Sequence, residues 1–235
     1  VTIARDESAE VREQVRGVRL FRDLDEERLD EILAFGRFER VRRKTVVYGE
    51  GEDHRGVWIV LSGLVVVYRL SPDGRMLILR VCRPGDSFGE IGLFDEVRPR
   101  YANHARTTRD GTLLFLPRDR FGDFLRRSPQ TSWRLLGELS ERIREMSTTL
   151  EGVAFREVTA RLARYLLREL EAAGRTGERR PSVDLPLAKG SLASYLGAAH
   201  ETLSRSLQRL SRQGIVRVDG PRVTVLDLSR LKRLA

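Results

Sequence analysis

A single cysteine, Cys82, among 235 residues excludes an intrachain disulfide and a four-cysteine iron–sulfur cluster held by one chain. The three histidines, His54, His104 and His200, show no ligand spacing, so no metal site is expected. A phosphate-loop glycine motif ending in lysine is missing, as is a nucleophile elbow, which argues against an enzyme. Long apolar runs are missing too. The longest stretch, Val57 to Tyr68, is broken by Ser62-Gly63, and the opening VTIARDESAEVREQVRGVRLF is too charged for a signal peptide. These features predict a cytoplasmic protein without a membrane partner. Acidic residues are outnumbered, 34 against 43 basic, for a formal charge of +9. That balance suits a polyanion, though charge by itself does not separate nucleic acid from an acidic membrane surface.

What is present points to nucleic acid. The run Lys189 to Leu210 reads as two short helices joined at Gly197, with Leu192, Ala193 and Leu196 facing inward on the first. On the second, Leu203, Leu207 and Leu210 recur at i, i+4 and i+7 and share the packing side. Glu201, Ser204, Arg205 and Gln208 fall opposite. Arginine pairs with guanine O6 and N7, glutamate accepts from the cytosine amino group, and serine or glutamine bonds bases or phosphates. Ile215 to Val225 then alternates around Asp219-Gly220 as a β-hairpin. Helix-turn-helix followed by a hairpin is a winged helix.

Upstream, residues 8 to 35 read as helical, with Leu29, Ile32 and Leu33 on an apolar stripe after a cap at Asp25. From Phe38 to Leu116, short β-rich runs separated by glycine turns predict a sandwich or small barrel. Pro129 to Arg156 returns to helix, and its apolar residues sort into heptads. Leu136, Ile143 and Leu150 form one series and Leu139, Met146 and Val153 the other, which predicts a two-stranded dimer seam. A further helix covers Glu157 to Ala173, and Gly174 to Ser182 reads as a loop or small wing.

The blocks GVWIVLSGLVVVYRLSPDGRMLIL, RPGDSFGEIGLFDE, EGVAFREVTARLARYLL and HETLSRSLQRL, in this order, resemble the CRP/FNR superfamily of bacterial transcription regulators over nearly the whole chain. The resemblance implies an α+β chain in three parts: a cyclic-nucleotide-binding-type jelly roll at 1–128, a dimerisation helix at 129–155 and a winged helix-turn-helix at 156–235. It also implies a homodimer on a palindromic double-stranded DNA operator, with RNA polymerase as a further partner. In nucleotide-binding members a Gly-Glu cassette and a following arginine hold the cyclic phosphate. Those positions are Gly89, Glu90, Ile91, Gly92 and Arg100 here, and Tyr101, Ala102 and Ser147 complete the candidate effector set.

This chain departs from the cyclic-AMP pattern in two places. Tyr101 stands where a small hydroxyl residue is expected, and Met146-Ser147 replaces a Thr-Ser pair. Both departures argue against cyclic-AMP control, leaving another small effector, a haem or none, with an internal Glu90–Arg100 ion pair as the ligand-free account. On the DNA side Glu201 and Arg205 match the family's reading pair, Ser204 resembles FNR-type members, and His200 departs where cyclic-AMP-binding members carry arginine.

Overall fold

The computed structural model describes residues 5–155 and 157–235, with side chains described for 11–150 and from 157 onward. The chain divides into two compact units, residues up to Glu141 and residues from Arg142. No helix among the described residues is long and apolar enough to cross a membrane.

The first unit opens with helices α1 (Arg5–Arg16) and α2 (Glu26–Phe35), separated by a 3-10 turn at Arg19–Phe21. Asp25 caps α2 as the sequence suggests, its carboxylate accepting from Arg28 N at 2.8 Å and satisfying one of the amides that a helix start leaves unpaired. Six strands follow: β1 (Arg37–Val41), β2 (Val46–Tyr48), β3 (Gly56–Leu70), β4 (Met76–Cys82), β5 (Ser87–Phe88) and β6 (His104–Pro117). The sheet runs β1-β6-β3-β4, with β2 on β6 and β5 on β3.

Strand alternation builds two cores from one pair of long strands. Val57, Ile59 and Leu61 of β3, with Leu114 and Leu116 of β6, pack against Leu29 and Ile32 of α2 and against Phe121 and Phe124 of helix α3 (Arg118–Arg127). Trp58, Val60, Leu113 and Phe115 face the other way, into a cluster with Tyr48, Phe88 and Tyr101. Burying each such side chain contributes roughly 1.5–3 kcal/mol. The register slips between Val60 and Val65, where Gly63 holds φ +90° and a Cβ on Gly111 would lie 2.1 Å from Ser62 O. Only glycine permits that bend and that approach.

Helix α4 spans Pro129–Phe155, and the division between the units falls inside it. The second unit adds helices α5 (Val158–Ala172), α6 (Lys189–Tyr195), α7 (His200–Arg212) and α8 (Leu228–Leu234) around strands β7 (Ser182–Asp184), β8 (Val216–Asp219) and β9 (Arg222–Val225). Leu162 and Leu166 of α5, Leu192 of α6, Leu203 and Leu210 of α7 and Leu231 of α8 are fully buried. The hairpin is present with its turn one residue later than expected: Asp219 pairs with Arg222, so Gly220-Pro221 makes the corner. The segment read as a loop up to Ser182 runs into a third strand, β7, which pairs with β9. Arg222 clamps it by two bonds to Asp184, at 2.8 and 3.0 Å.

Candidate nucleic-acid interface and effector cassette

Gly197 makes the corner between α6 and α7 with φ +60°, a left-handed conformation that costs glycine little. Ala198 N donates back to Ala193 O at 3.0 Å, closing the end of α6. On α7, Leu203, Ser206, Leu207 and Leu210 are buried, and Thr159 Oγ1 of α5 donates to Ser206 Oγ at 3.3 Å. The opposite side is open: His200, Glu201, Arg205 and Gln208 are exposed and Ser204 is half-buried. The five side chains expected to face DNA therefore share one accessible helix face. Arg209, one turn beyond Arg205, is exposed as well and lies 3.6 Å from Glu157. It escaped the sequence reading because only the packing shows which arginines near the helix end stay outside.

In the first unit the cassette Gly89-Glu90-Ile91-Gly92 joins β5 to a 3-10 turn at Ile91–Leu93. Gly89 has φ +85°, and a Cβ there would meet the Tyr101 ring at 3.2 Å and the Tyr48 ring at 3.4 Å. Those two rings stack with centroids 3.8 Å apart and 7° between planes. The Tyr101 hydroxyl donates to Gly56 O at 2.8 Å. Tyr101 is thus a core residue whose donor is already committed. Arg100 is exposed and its Nη1 donates to Gly51 O at 2.9 Å. Ile91 and Ala102 are exposed. Ser147 belongs to the second unit, where its hydroxyl donates to Ile143 O on its own helix.

The cation that senses Glu90 is one the sequence reading missed, Arg80 of β4. Burial opposes its charge, yet the fields of Cys82, Glu90, Asp86 and Glu138 outweigh that penalty and hold its pKa above the ordinary arginine value. Its Nη1 donates to Ser87 O at 2.6 Å, its Nη2 lies 3.6 Å from Asp86, and Ser87 Oγ donates to Glu138 at 3.1 Å. The Glu90–Arg100 pair entertained from the sequence is corrected to this arrangement. The overlooked signal was a lone arginine in the otherwise apolar strand MLILRVC.

His54 is buried, and its Nε2 lies 2.6 Å from Gly89 O. Burial pulls its pKa below the ordinary 6.5, against the smaller opposing effect of the Gly89 carbonyl. The folded protein therefore takes up this proton less readily than the unfolded chain. The contribution to stability is whole above pH 6.5 and is lost as pH falls below it toward the folded value, by at most about 1.4 kcal/mol per pH unit. Thermal melts from about pH 7.5 to about 5.5 should show a smaller acid-induced loss in His54→Gln than in the parent. Equal slopes would remove His54 from this role.

Along α4, Leu136, Ile143, Met146 and Leu150 are 50%, 65%, 57% and 68% exposed. Leu139 differs from the rest of this set: it is half-buried, with part of its surface packed against the apolar core of its own unit. The side chain of Val153 lies outside the described residues. Trp133, 75% exposed, is one residue out of the heptad register and was missed for that reason. No His/Cys/Asp/Glu group able to hold a metal occurs among the described residues.

A β domain carrying a Gly-Glu cassette, followed by a long helix and a winged helix-turn-helix, defines the class of two-module DNA-binding regulators. Comparison with known proteins gives the family. The profile described as "Cyclic nucleotide-binding domain" matches residues 38–128, and "Crp-like helix-turn-helix domain" matches 160–234. The chain is 31% identical over 193 residues to the "CRP-like cAMP-activated global transcriptional regulator" of Mycobacterium tuberculosis, covering 82% of this chain and 85% of that one. It is 29% identical over 222 residues to the "Cyclic AMP receptor protein" of Thermus thermophilus, covering 94% and 98%. The solved structure of FixK2 from Bradyrhizobium japonicum matches with a TM-score of 0.74 at 26% identity, over 85% of this chain and 96% of that one. The chain belongs to the CRP/FNR family of transcription regulators and carries that family's DNA-binding helix-turn-helix.

Proposed function

We propose that the protein is a cytoplasmic homodimer that reads a two-fold related DNA operator through α7 and acts on RNA polymerase, and that it does so without cyclic AMP. The division of α7 carries the DNA reading. Its leucines are spent on the core, while Glu201, Ser204, Arg205 and Gln208, with His200, are left for base edges and phosphates. The dimer reading is supported by the exposed α4 side chains Leu136, Ile143, Met146 and Leu150. Leu139 and Val153 complete the proposed seam by their spacing.

Independence from cyclic AMP is supported by the state of the cassette. Gly89 and Gly92 are covered by the rings of Tyr101, Tyr48 and His54, and the buried Arg80 charge is already balanced from within the protein. Of the remaining candidate effector residues, Arg100 and Tyr101 are held by the carbonyls of Gly51 and Gly56. Glu90 lies in the field of Arg80.

Two titrations test this. Binding to operator DNA should fall steeply with salt, by about 10³–10⁵ between 50 and 200 mM if six to ten phosphates are contacted. Calorimetry should detect no cyclic-AMP binding below millimolar concentration, and DNA affinity should not respond to the nucleotide. Micromolar cyclic-AMP binding that disappears in Arg100→Ala would restore a nucleotide sensor, and flat salt dependence would remove the DNA reading.

A further inference from the structure

Within the second unit, α5 presents Arg161, Arg164 and Arg168 at i, i+3 and i+7, one stripe of a helix. With Thr148 and Thr149 of α4 and Tyr195 at the end of α6, they line a cavity of about 60 Å³. Two of the three arginines have partners: Arg168 pairs with Glu145 at 2.7 Å, and Arg164 donates to Ala235 O at 3.3 Å. Arg161 differs. Its Nε and Nη1 are shielded from solvent and meet no acceptor among the described residues.

Other arginines with a shielded Nε, namely Arg16, Arg106 and Arg118, send a remaining nitrogen to Glu26, to the Met76 sulfur and to Asp95 O. Arg161 shows no such outlet among the described residues, and the influence on its pKa is the burial that lowers it. Arg161 is half-buried, and two guanidinium nitrogens shielded from water without an acceptor are an arrangement that folds rarely retain unless something completes it.

We propose that this cavity is a binding site for a small phosphate-class oxyanion, held by the Arg161 fork with Arg164 and the Thr148 hydroxyl around it. The guanidinium fork matches the oxygens of a phosphate group two at a time. The volume also limits the ligand. About 60 Å³ takes a phosphate or a few waters, whereas pockets that enclose a drug-sized or nucleotide-sized molecule run to roughly 300–1,000 Å³. The occupant is therefore inorganic phosphate, or the phosphoryl end of a phosphomonoester whose remainder stays in solvent. Bound there, the anion ties Thr148 of α4 to Arg161 of α5 and fixes the start of the DNA-binding module to the long helix. This site uses neither the cassette nor the DNA face, so it stands or falls apart from the operator reading.

The test is thermal unfolding of the full chain with inorganic phosphate or glycerol 3-phosphate titrated against chloride at constant ionic strength. The parent should gain a saturable rise in Tm, about 5 °C or more at a hundredfold excess over Kd. Arg161→Met keeps the aliphatic packing and drops the unpartnered charge. It should melt no lower than the parent in chloride and gain nothing from phosphate, and calorimetry should show Thr148→Val binding phosphate severalfold more weakly. Tighter binding of glycerol 3-phosphate assigns the site to a small phosphorylated metabolite, and equal or weaker binding assigns it to free phosphate. The proposal is overturned if phosphate acts no differently from chloride, if Arg161→Met keeps the gain, or if that variant melts well below the parent in chloride, which would mean that Arg161 is satisfied from within.

Discussion

Replacing Ile143 by aspartate is expected to make the protein monomeric and to abolish binding to its operator at working concentrations. Ile143 is 65% exposed in the single chain, flanked one and two turns away by Met146 and Leu150, at 57% and 68%. Apolar side chains of that size in one stripe need a partner surface, and their seven-residue spacing matches the seam of a two-stranded coil. At a two-fold axis the substitution places two aspartates against each other in an apolar seam. An uncompensated buried charge costs about 3–5 kcal/mol, and here it is incurred twice. The loss on DNA exceeds the loss of contacts, because a dimer places its second reading head at high effective concentration, a gain of about 10²–10⁴ in apparent affinity that a monomer forfeits. Sedimentation velocity at micromolar concentration and anisotropy on a palindromic fragment measure the two effects. A monomeric parent that still binds DNA would show that the exposed stripe serves some other partner.

The parts of this chain that the sequence makes legible are those in which local pattern and packing agree. The leucines of α7 follow the helical period and are buried, so the polar face falls out by subtraction. The cap at Asp25 and the glycine corner at Gly197 are local decisions and were readable for that reason. Other parts were not. The strand β7 is three residues long with a single buried side chain, Val183, and exists because β9 offers it an edge. Leu139 fits the heptad as well as Leu136 does, yet it is half-buried against the first unit's own core while Leu136 is exposed. Nothing in the spacing distinguishes the two.

Arg80 is the most instructive omission. The motif drew attention to Glu90 and Arg100, which are ten residues apart, and an ion pair between them was the natural ligand-free account. The fold instead turns Arg100 outward to a backbone carbonyl and sets Arg80 from the neighbouring strand in the field of Glu90, Asp86 and Glu138. Charge balance inside a β domain is set by which strand faces the charge, and that is a property of sheet register. The same holds for Tyr101: its bulk is evident from the sequence, but its stacking on Tyr48 and its bond to Gly56 O follow from the tertiary fold.

Removing the Arg205 side chain should weaken binding at the cognate operator by about 1–3 kcal/mol and flatten the sequence preference at a single base pair of each half-site. Arg205 is exposed on the polar face of α7 and its side-chain hydrogen bond among the described residues is a long one, Nη2 to Thr202 Oγ1 at 3.4 Å, so its fork can reorganise onto guanine O6 and N7. Glu201, one turn earlier on the same face, is placed to accept from a cytosine amino group beside it. Together with Ser204 this predicts a half-site with a TTGA-like or TGTGA-like core, repeated with inverted symmetry about one helical turn apart. Arg209 supplies the contrast, because it lies one turn further along and pairs with Glu157 at 3.6 Å. It suits a phosphate, and Arg209→Ala should lower affinity evenly across sequences and reduce the salt slope by about one. Selection on randomised half-sites with the parent, Arg205→Ala and Arg209→Ala separates these roles. If the preference for guanine survives in Arg205→Ala, that residue touches only the backbone, and base reading must pass to another side chain of the same face.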